Sequence, residues 1–329
     1  MENTFLVTGG CGFIGSHLIE ELLKNKKNQV VVLDNLITGR LTNININNKN
    51  LRFYNCDISK NTKNFVRFFK NIHTVFHLAA LADIVPSIND PLLYYRTNVT
   101  GTINVLNACK INNVKKIVYA ASASCYGVPK KFPTLETSKI SLNYPYALTK
   151  KIGEDLLLHW AKVYKLNCTS LRLFNVYGPR SRTSGTYGAV FGVFLAQKIN
   201  NKPLTIVGNG NQTRDFIYVK DVACAFIAGS KFKKSGEIFN IGSGEQTTVN
   251  FIANAISKNH TYIPKRPAEP DRSQANITKA TKLLKWKPIV NIKEGIEILL
   301  KNIDYWRKAP VWNPESIKKA TKIWFKYLK

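Results

Sequence analysis

Between Thr4 and Asp34 the chain passes through a short apolar run, the turn Gly9-Gly10-Cys11-Gly12-Phe13-Ile14-Gly15, a helically periodic stretch from Ser16 to Leu23, and a second apolar run, Val30-Val31-Val32-Leu33. This order predicts strand, tight turn, helix, strand, with Asp34 closing the second strand. The glycines let the backbone turn tightly and approach a pyrophosphate, which then sits at the positive end of the helix. Asp34 can accept a hydrogen bond from an adenosine ribose hydroxyl. Its carboxylate would repel a 2′-phosphate at close range, so NAD is expected over NADP. Arg40 lies near enough in sequence to keep the phosphorylated cofactor open as an alternative.

The alternation continues. Strands are expected at 51–56, 74–78, 116–121 and 168–174, with helices at about 62–70, 91–112 and 146–165. Repeated strand–helix units argue an α/β fold built on a Rossmann-like doubly wound parallel sheet. Asp57 stands just past one strand, where an adenine amino group could be met. His77-Leu78-Ala79-Ala80 ends another in small residues, so a flat ring can approach the backbone.

Past residue 175 the pattern breaks into a glycine-rich loop, Ser184-Gly185-Thr186-Tyr187-Gly188, and shorter elements. Helices are expected near 189–200, 248–258, 277–284 and 292–307, strands at 204–207 and 238–241, and a strand with a helix through 216–229. These predict a smaller C-terminal substrate-binding lobe over the edge of the sheet where open α/β proteins bind ligands. Residues 1–175 are read as the NAD-binding domain and 176–329 as mainly the substrate lobe, with some chain returning to the first. A chain of 329 residues is ample for such a core.

Composition excludes several classes. The six cysteines are scattered, with no C-x-x-C and no zinc spacing, so no metal site is expected. The early start of the first strand leaves the expectation of no signal peptide, and no apolar run approaches the roughly 18 residues of a membrane span, so a cytoplasmic protein is expected. The formal charge of +28 raises nucleic-acid binding. Its lysines, however, are spread over almost every helix among many Asn and Ile residues, a bias that AT-rich codons explain without a nucleic-acid partner. A positive field would still gather anionic diphosphates.

Tyr146-Ala147-Leu148-Thr149-Lys150 follows Ser122-Ala123-Ser124-Cys125-Tyr126-Gly127 in the chain. On a helix, Tyr146 and Lys150 share a face, one turn apart. A nearby ammonium would lower a phenol from its usual value near ~10, making Tyr146 a base for a substrate hydroxyl.

The combination of G-x-x-G-x-x-G, Asp34-Asn35-Leu36, Asp57-Ile58, His77-Leu78-Ala79-Ala80, Asn98, Ser122-Ala123-Ser124-x-Tyr126-Gly127 and Tyr146-x-x-x-Lys150 resembles the extended short-chain dehydrogenase/reductase family, and within it the NAD-dependent UDP-hexose and UDP-N-acetylhexosamine 4-epimerases. The runs 171–179 and Thr213-Arg214-Asp215-Phe216 are also like that group, and the match covers about residues 4 to 288. The tail from 303, with Trp306, Trp312 and Trp324, has no part in the pattern; its aromatics are expected to pack.

The resemblance implies Tyr146 as the base, Ser122 as a hydrogen-bond partner of the reacting hydroxyl, and Lys150 as a ligand of the nicotinamide ribose that depresses the Tyr146 pKa. It implies that Gly9, Gly12, Phe13, Ile14, Gly15, Asp34, Asn35, Asp57, Ile58, Leu78, Ala79, Ala80 and Asn98 hold NAD with Tyr146 and Lys150. Ser124, Asn175, Arg214, Arg266 and Ser273 would meet a UDP-sugar. The implied reaction is inversion at C4 through a transient 4-keto sugar. Dehydratase relatives carry an Asp-Glu pair after the serine, and decarboxylase relatives a glutamate; here those positions are Ala123 and Ser124. A non-catalytic NAD-binding regulator is the alternative of a different class, disfavoured by the retained tyrosine and lysine. Helices near 91–112 and 146–165 carry Val99, Ile103, Leu106, Leu148, Ile152 and Leu156, and in this family such helices pair in a homodimer. Serine at 273, where a large aromatic would fill the space of an N-acetyl group, and the loop Gly185-Thr186-Tyr187-Gly188-Ala189-Val190 point to UDP-GlcNAc and UDP-GalNAc, or uronic-acid forms, alongside UDP-Glc and UDP-Gal, for surface-polysaccharide synthesis.

Overall fold

Seven strands converge on one sheet in the computed structural model, which describes residues 3–60, 64–181 and 189–328. In chain order the main elements are β1 (Thr4–Thr8), α1 (Phe13–Leu23), β2 (Gln29–Asp34), β3 (Leu51–Asn55), β4 (Thr74–His77), α2 (Ile84–Asn89), α3 (Pro91–Tyr95), α4 (Gly101–Ile111), β5 (Lys116–Ser122), α5 (Pro145–Tyr164) and β6 (Cys168–Leu173). There follow β7 (Asn175–Tyr177), α6 (Val190–Ile199), β8 (Leu204–Val207), β9 (Thr213–Arg214), β10 (Phe216–Tyr218), α7 (Val219–Lys231), β11 (Glu237–Ile241), β12 (Thr247–Thr248), α8 (Val249–Ile256), β13 (His260–Ile263), α9 (Ile292–Lys301) and α10 (Pro314–Tyr327).

The sheet order is β3-β2-β1-β4-β5-β6-β11, every pair parallel. Strands β4, β5 and β6 are buried along nearly their whole length because helices cover both faces, which is why they read as continuous apolar runs. On one face Leu18, Ile19 and Leu22 of α1 share a core with Val222 and Phe226 of α7. On the other, Val105 and Leu106 of α4 meet Leu157 of α5. Strand order reverses between β1 and β4, so the ends of these two strands open a crevice where open α/β sheets bind ligands.

Four expectations are corrected. The helix at 62–70 is a single 3₁₀ turn, Val66–Phe69, among the described residues. Phe65 and Phe69 mimic helical spacing because both plug the core beneath α4. The strand expected at 168–174 breaks at Phe174, and β7 leaves the sheet to pair with β10. The strand at 238–241 does not belong to the smaller lobe but is the seventh strand of the main sheet, and α7, next to it, packs on α1. The helix at 292–307 stops at Lys301, with a separate 3₁₀ turn at Ile303–Trp306.

The remaining C-terminal elements surround a second core of Phe191, Phe194, Ile206, Phe216, Ile252, Leu299 and Trp306. The tail also forms a helix. Asn313 and Ser316 cap α10 reciprocally, Asn313 Oδ1 accepting from Ser316 N at 2.8 Å and Ser316 Oγ from Asn313 N at 2.9 Å, with proline at its first position.

Candidate active site

The crevice is built by backbone meeting backbone. Gly9, at φ 71, lies so close to the end of β4 that a Cβ there would stand 2.7 Å from Ala79 N, and one on Gly15 would stand 2.3 Å from Gly9 O. Gly12 heads α1 with no side-chain cap, and the first turn holds no acidic residue. The first N–H groups of the helix, those of Phe13 and Ile14 among them, therefore lack intrahelical partners and a competing side chain, which fits a pyrophosphate. Asp34 is buried and accepts from Cys11 N at 2.9 Å and Leu36 N at 2.8 Å. Burial raises its pKa; those two bonds work against the rise. Each of its oxygens keeps acceptor capacity for a ribose hydroxyl. Farther along, Asn35 turns on itself through Ile37 N, and Asp57 accepts from the Ser59 N and Oγ at 2.9 and 2.7 Å. Ile58 is buried beneath Gly101. The cradle fits NAD.

A chain of hydrogen bonds fixes the Leu78-Ala79-Ala80 segment. Ala79 N donates to Thr8 Oγ1, which lies 2.7 Å from His77 Nδ1; His77 Nε2 lies 3.0 Å from Thr102 Oγ1, and Thr102 donates to Asn98 O at 2.6 Å. Because Thr102 spends its proton on Asn98, the His77 proton is on Nε2. Burial pushes His77 down to about 3, so the ring stays neutral. The Asn98 amide donates to Leu81 O and Thr149 Oγ1 and accepts from Leu81 N. Its side chain thus clamps the loop beside the cradle and ties it to α5.

Strand β5 delivers Ser122 to the same edge, and Ser122 Oγ accepts from Ser124 N at 3.2 Å to start the next turn. Pro145 starts α5, placing Tyr146 and Lys150 one turn apart. The Tyr146 ring lies parallel to Tyr144 at 7° and edge-on to Tyr94, with its hydroxyl in the neighbourhood of Ser122. Burial raises the Tyr146 pKa, the neighbouring Ser122 hydroxyl opposes the rise, and the charge of Asp83 adds to it. The expected depression by Lys150 is not what dominates here. Lys150 is itself buried and pushed down to about 7, Glu154 partly offsetting the burial. Its Nζ stands 4.3 Å from the Tyr119 ring centroid. Glu154 is held in turn by Arg172, with bonds of 2.6 to 3.2 Å, and by Ser170 Oγ at 2.8 Å.

Ser122 and Tyr146 form part of the lining of a cleft of about 430 Å³, as do Ser124, Asn175, Arg214, Arg266 and Ser273. Asp83, Tyr144, Glu269, Arg272 and Trp324 also line it, and the sequence singled out none of them for the site. Glu269 accepts from Arg214 at 2.8 Å and pairs with Arg266 at 3.2 Å. Three arginines against this one glutamate leave that wall net positive. Asp215 fixes the wall from within: its buried carboxylate accepts from Ser243 N, Gly244 N and Ala275 N. The pairing of Arg214 with Glu269 is legible only in the fold, since 55 residues separate the two. Of the loop expected to resemble the acetyl-sugar enzymes, residues 185–188 lie outside the described residues. Trp324 and Trp306 are both buried as expected, and Trp324 also lines the cleft.

A glycine cradle, a Ser–Tyr–Lys trio whose lysine is buried, and a cleft lined by Ser122, Tyr146 and three arginines define a class of enzyme that holds NAD. The chain belongs to the NAD dependent epimerase/dehydratase family, whose model matches residues 5–242. It is an NAD-dependent enzyme. A UDP-glucuronate 4-epimerase of Thermodesulfobacterium geofontis is 35% identical over 331 residues, covering 95% of this chain and 99% of that one. A UDP-glucose 4-epimerase of Mycolicibacterium smegmatis is 33% identical over 312 residues, covering 92% and 98%. Among solved structures, the UDP-N-acetylglucosamine 4-epimerase of Methanobrevibacter ruminantium in complex with UDP-N-acetylmuramic acid superposes with a TM-score of 0.86 at 32% identity, covering 92% of this chain and all of that one. UDP-glucuronic acid decarboxylases of Arabidopsis thaliana match at 29 to 30% identity.

Proposed function

We propose that the protein inverts C4 of a UDP-hexose through a transient 4-keto sugar. One observation carries the reading: Tyr146 and Ser122 line the same cleft as Arg214, Arg266 and Arg272. Tyr146 takes the proton of the C4 hydroxyl and later returns it, while Ser122 aligns that hydroxyl. NAD, when bound, would supply reversible hydride-acceptor chemistry at C4. Lys150, one turn along α5 from Tyr146, would hold the nicotinamide ribose. Arg214 and Arg266 grip the diphosphate, so the sugar can turn over without leaving the site. The cycle is redox-neutral and keeps its cofactor.

Ala123 and Ser124 offer no acid for elimination, which favours epimerisation over dehydration; the absence of a glutamate there disfavours decarboxylation. Ser273 lines the cleft with a small side chain, supporting N-acetylated hexoses and uronic-acid forms as substrates beside UDP-Glc and UDP-Gal. Residues 1–175 carry the NAD and catalytic groups, and 176–329 the cationic wall, with α7 and β11 joined to the sheet layers. Among the described residues no helix is long and apolar enough to cross a membrane, and a cytoplasmic site of action follows from a nucleotide-sugar substrate. A homodimer pairing α3, α4 and α5 is supported by exposed Leu92, Tyr95, Leu148 and Val163. Val99 and Leu106, which the sequence offered for that face, are buried in the chain's own core.

Proton NMR of a UDP-sugar incubated with the protein tests the reaction. Wild type should interconvert the C4 epimers, and Tyr146→Phe should be slower by about 10²- to 10⁴-fold while retaining NAD. Equal rates would remove Tyr146 from the chemistry. No conversion of any UDP-hexose pair would return the regulator reading.

A further inference from the structure

We propose that the C-terminal helix α10 belongs to the substrate site, with Trp324 the positioning residue that holds Arg266 ready for the diphosphate. The proposal rests on the cleft being a UDP-sugar site. Trp324 is only 4% exposed, yet lines the cleft. Its ring centroid lies 5.2 Å from the Arg266 guanidinium carbon, and Arg266 Nε lies 3.2 Å from Glu269 Oε2, so the guanidinium is held by an aromatic ring and a carboxylate together. An aromatic ring attracts a cation more strongly once water is excluded.

A second observation is independent of the ring. Trp324 Nε1 donates to Pro267 O at 2.8 Å, next to Ala268, a non-glycine residue in the left-handed region at φ 56. That conformation persists only where neighbours impose it. The indole N–H is one such restraint, and it acts on the turn joining Arg266 to Glu269. The helix bearing Trp324 is itself anchored: Ile317 packs with Val207 of β8 and Ile263 of β13, and α10 touches α2, next to Asp83. Thus α10 bridges the cationic wall and the nucleotide half at the cleft.

A merely structural tail would lose stability when cut but would not couple to one arginine. The test is calorimetric titration of NAD-loaded enzyme with UDP, for wild type, Trp324→Ala, Trp324→Phe, Arg266→Ala and the Trp324→Ala/Arg266→Ala pair, with melting temperature and retained NAD as fold controls. Trp324→Ala should weaken UDP about tenfold and Trp324→Phe, which keeps a ring without the N–H, by less. In the double variant the losses should be well short of additive, because both act through one guanidinium. The steady-state loss should fall more on KM than on kcat. UDP binding at wild-type strength by Trp324→Ala, or additive losses, would overturn the proposal. Should Trp324→Ala fail to fold, full UDP affinity in Trp324→Phe together with additivity in the Trp324→Phe/Arg266→Ala pair would overturn it as well. Failure of wild type to bind UDP would instead sink the UDP-sugar reading, and this inference with it.

Discussion

The cofactor cradle and the substrate wall solve the same problem, holding a diphosphate, by opposite means. The cradle uses main chain from consecutive residues: Gly9, Gly12 and Gly15 bring a helix end and two strand ends together, with no cationic side chain in the turn from 9 to 15. The wall uses side chains from distant segments, Arg214 beside Glu269 and Arg266 beside Trp324. Backbone sites fail when atoms are added, because the opposing peptide cannot rotate away. Side-chain sites fail when charge or geometry is removed, and they tolerate bulk.

That contrast can be broken. The largest effect is expected in the wall. Arg214→Lys keeps the charge but loses the planar fork, leaves Glu269 less well paired, and should raise KM for the UDP-sugar by about 10- to 100-fold with NAD still bound. A KM within twofold of wild type would mean that charge suffices and that the forked geometry is incidental. In the cradle, Gly15→Ala puts a methyl 2.3 Å from Gly9 O, which should cost about 1–3 kcal/mol and yield protein purified without NAD. Nucleotide released by denaturation and measured by chromatography reads this directly; full occupancy would mean that the turn can open.

A comparable effect, seen only on acidification, sits within the first half and at its seam with the second. His77 is held near 3 and His17, which contacts Pro179 O, near 4, both by burial. Below pH ~6.5 the unfolded imidazoles take up protons that the folded ones refuse, so their stabilisation, complete above ~6.5, is lost as pH falls toward 4. Each adds a slope of up to about 1.4 kcal/mol per pH unit. Denaturant midpoints between pH 7 and 4.5 should fall less steeply in His17→Gln; an unchanged slope would place that proton elsewhere. The smallest effect concerns selection. Ser273→Tyr should lower kcat/KM for UDP-GlcNAc several-fold, by about 1 kcal/mol or more, and spare UDP-Glc. Equal losses on both sugars would show that the side chain at 273 does not face the acetyl group.

The helix at 62–70 shows how a local pattern misleads. Phe65 and Phe69 have helical spacing, but burial in one core decides only that both point inward, and a 3₁₀ turn does this too. The assignment of Lys150 as the group that lowers the Tyr146 pKa was legible as proximity but not as energetics. Spacing says which groups meet; how dry their surroundings are depends also on Tyr119 and Arg172, which come from two other strands, the latter through Glu154 of the same helix.

By itself the sequence determined the parallel sheet, the glycine cradle with Asp34, and the pairing of Tyr146 with Lys150, because each rests on short-range periodicity or on residues within a turn or two of one another. Only the tertiary structure decided that β11 completes the main sheet, that Asn98 clamps the Leu81 loop, that Glu269 is shared by two arginines, and that Trp324 reaches the cleft from the last helix. Apart from the Arg266–Glu269 pair, those contacts join residues 17 or more apart, and no local pattern encodes them; they exist because burial of two cores brings the segments together.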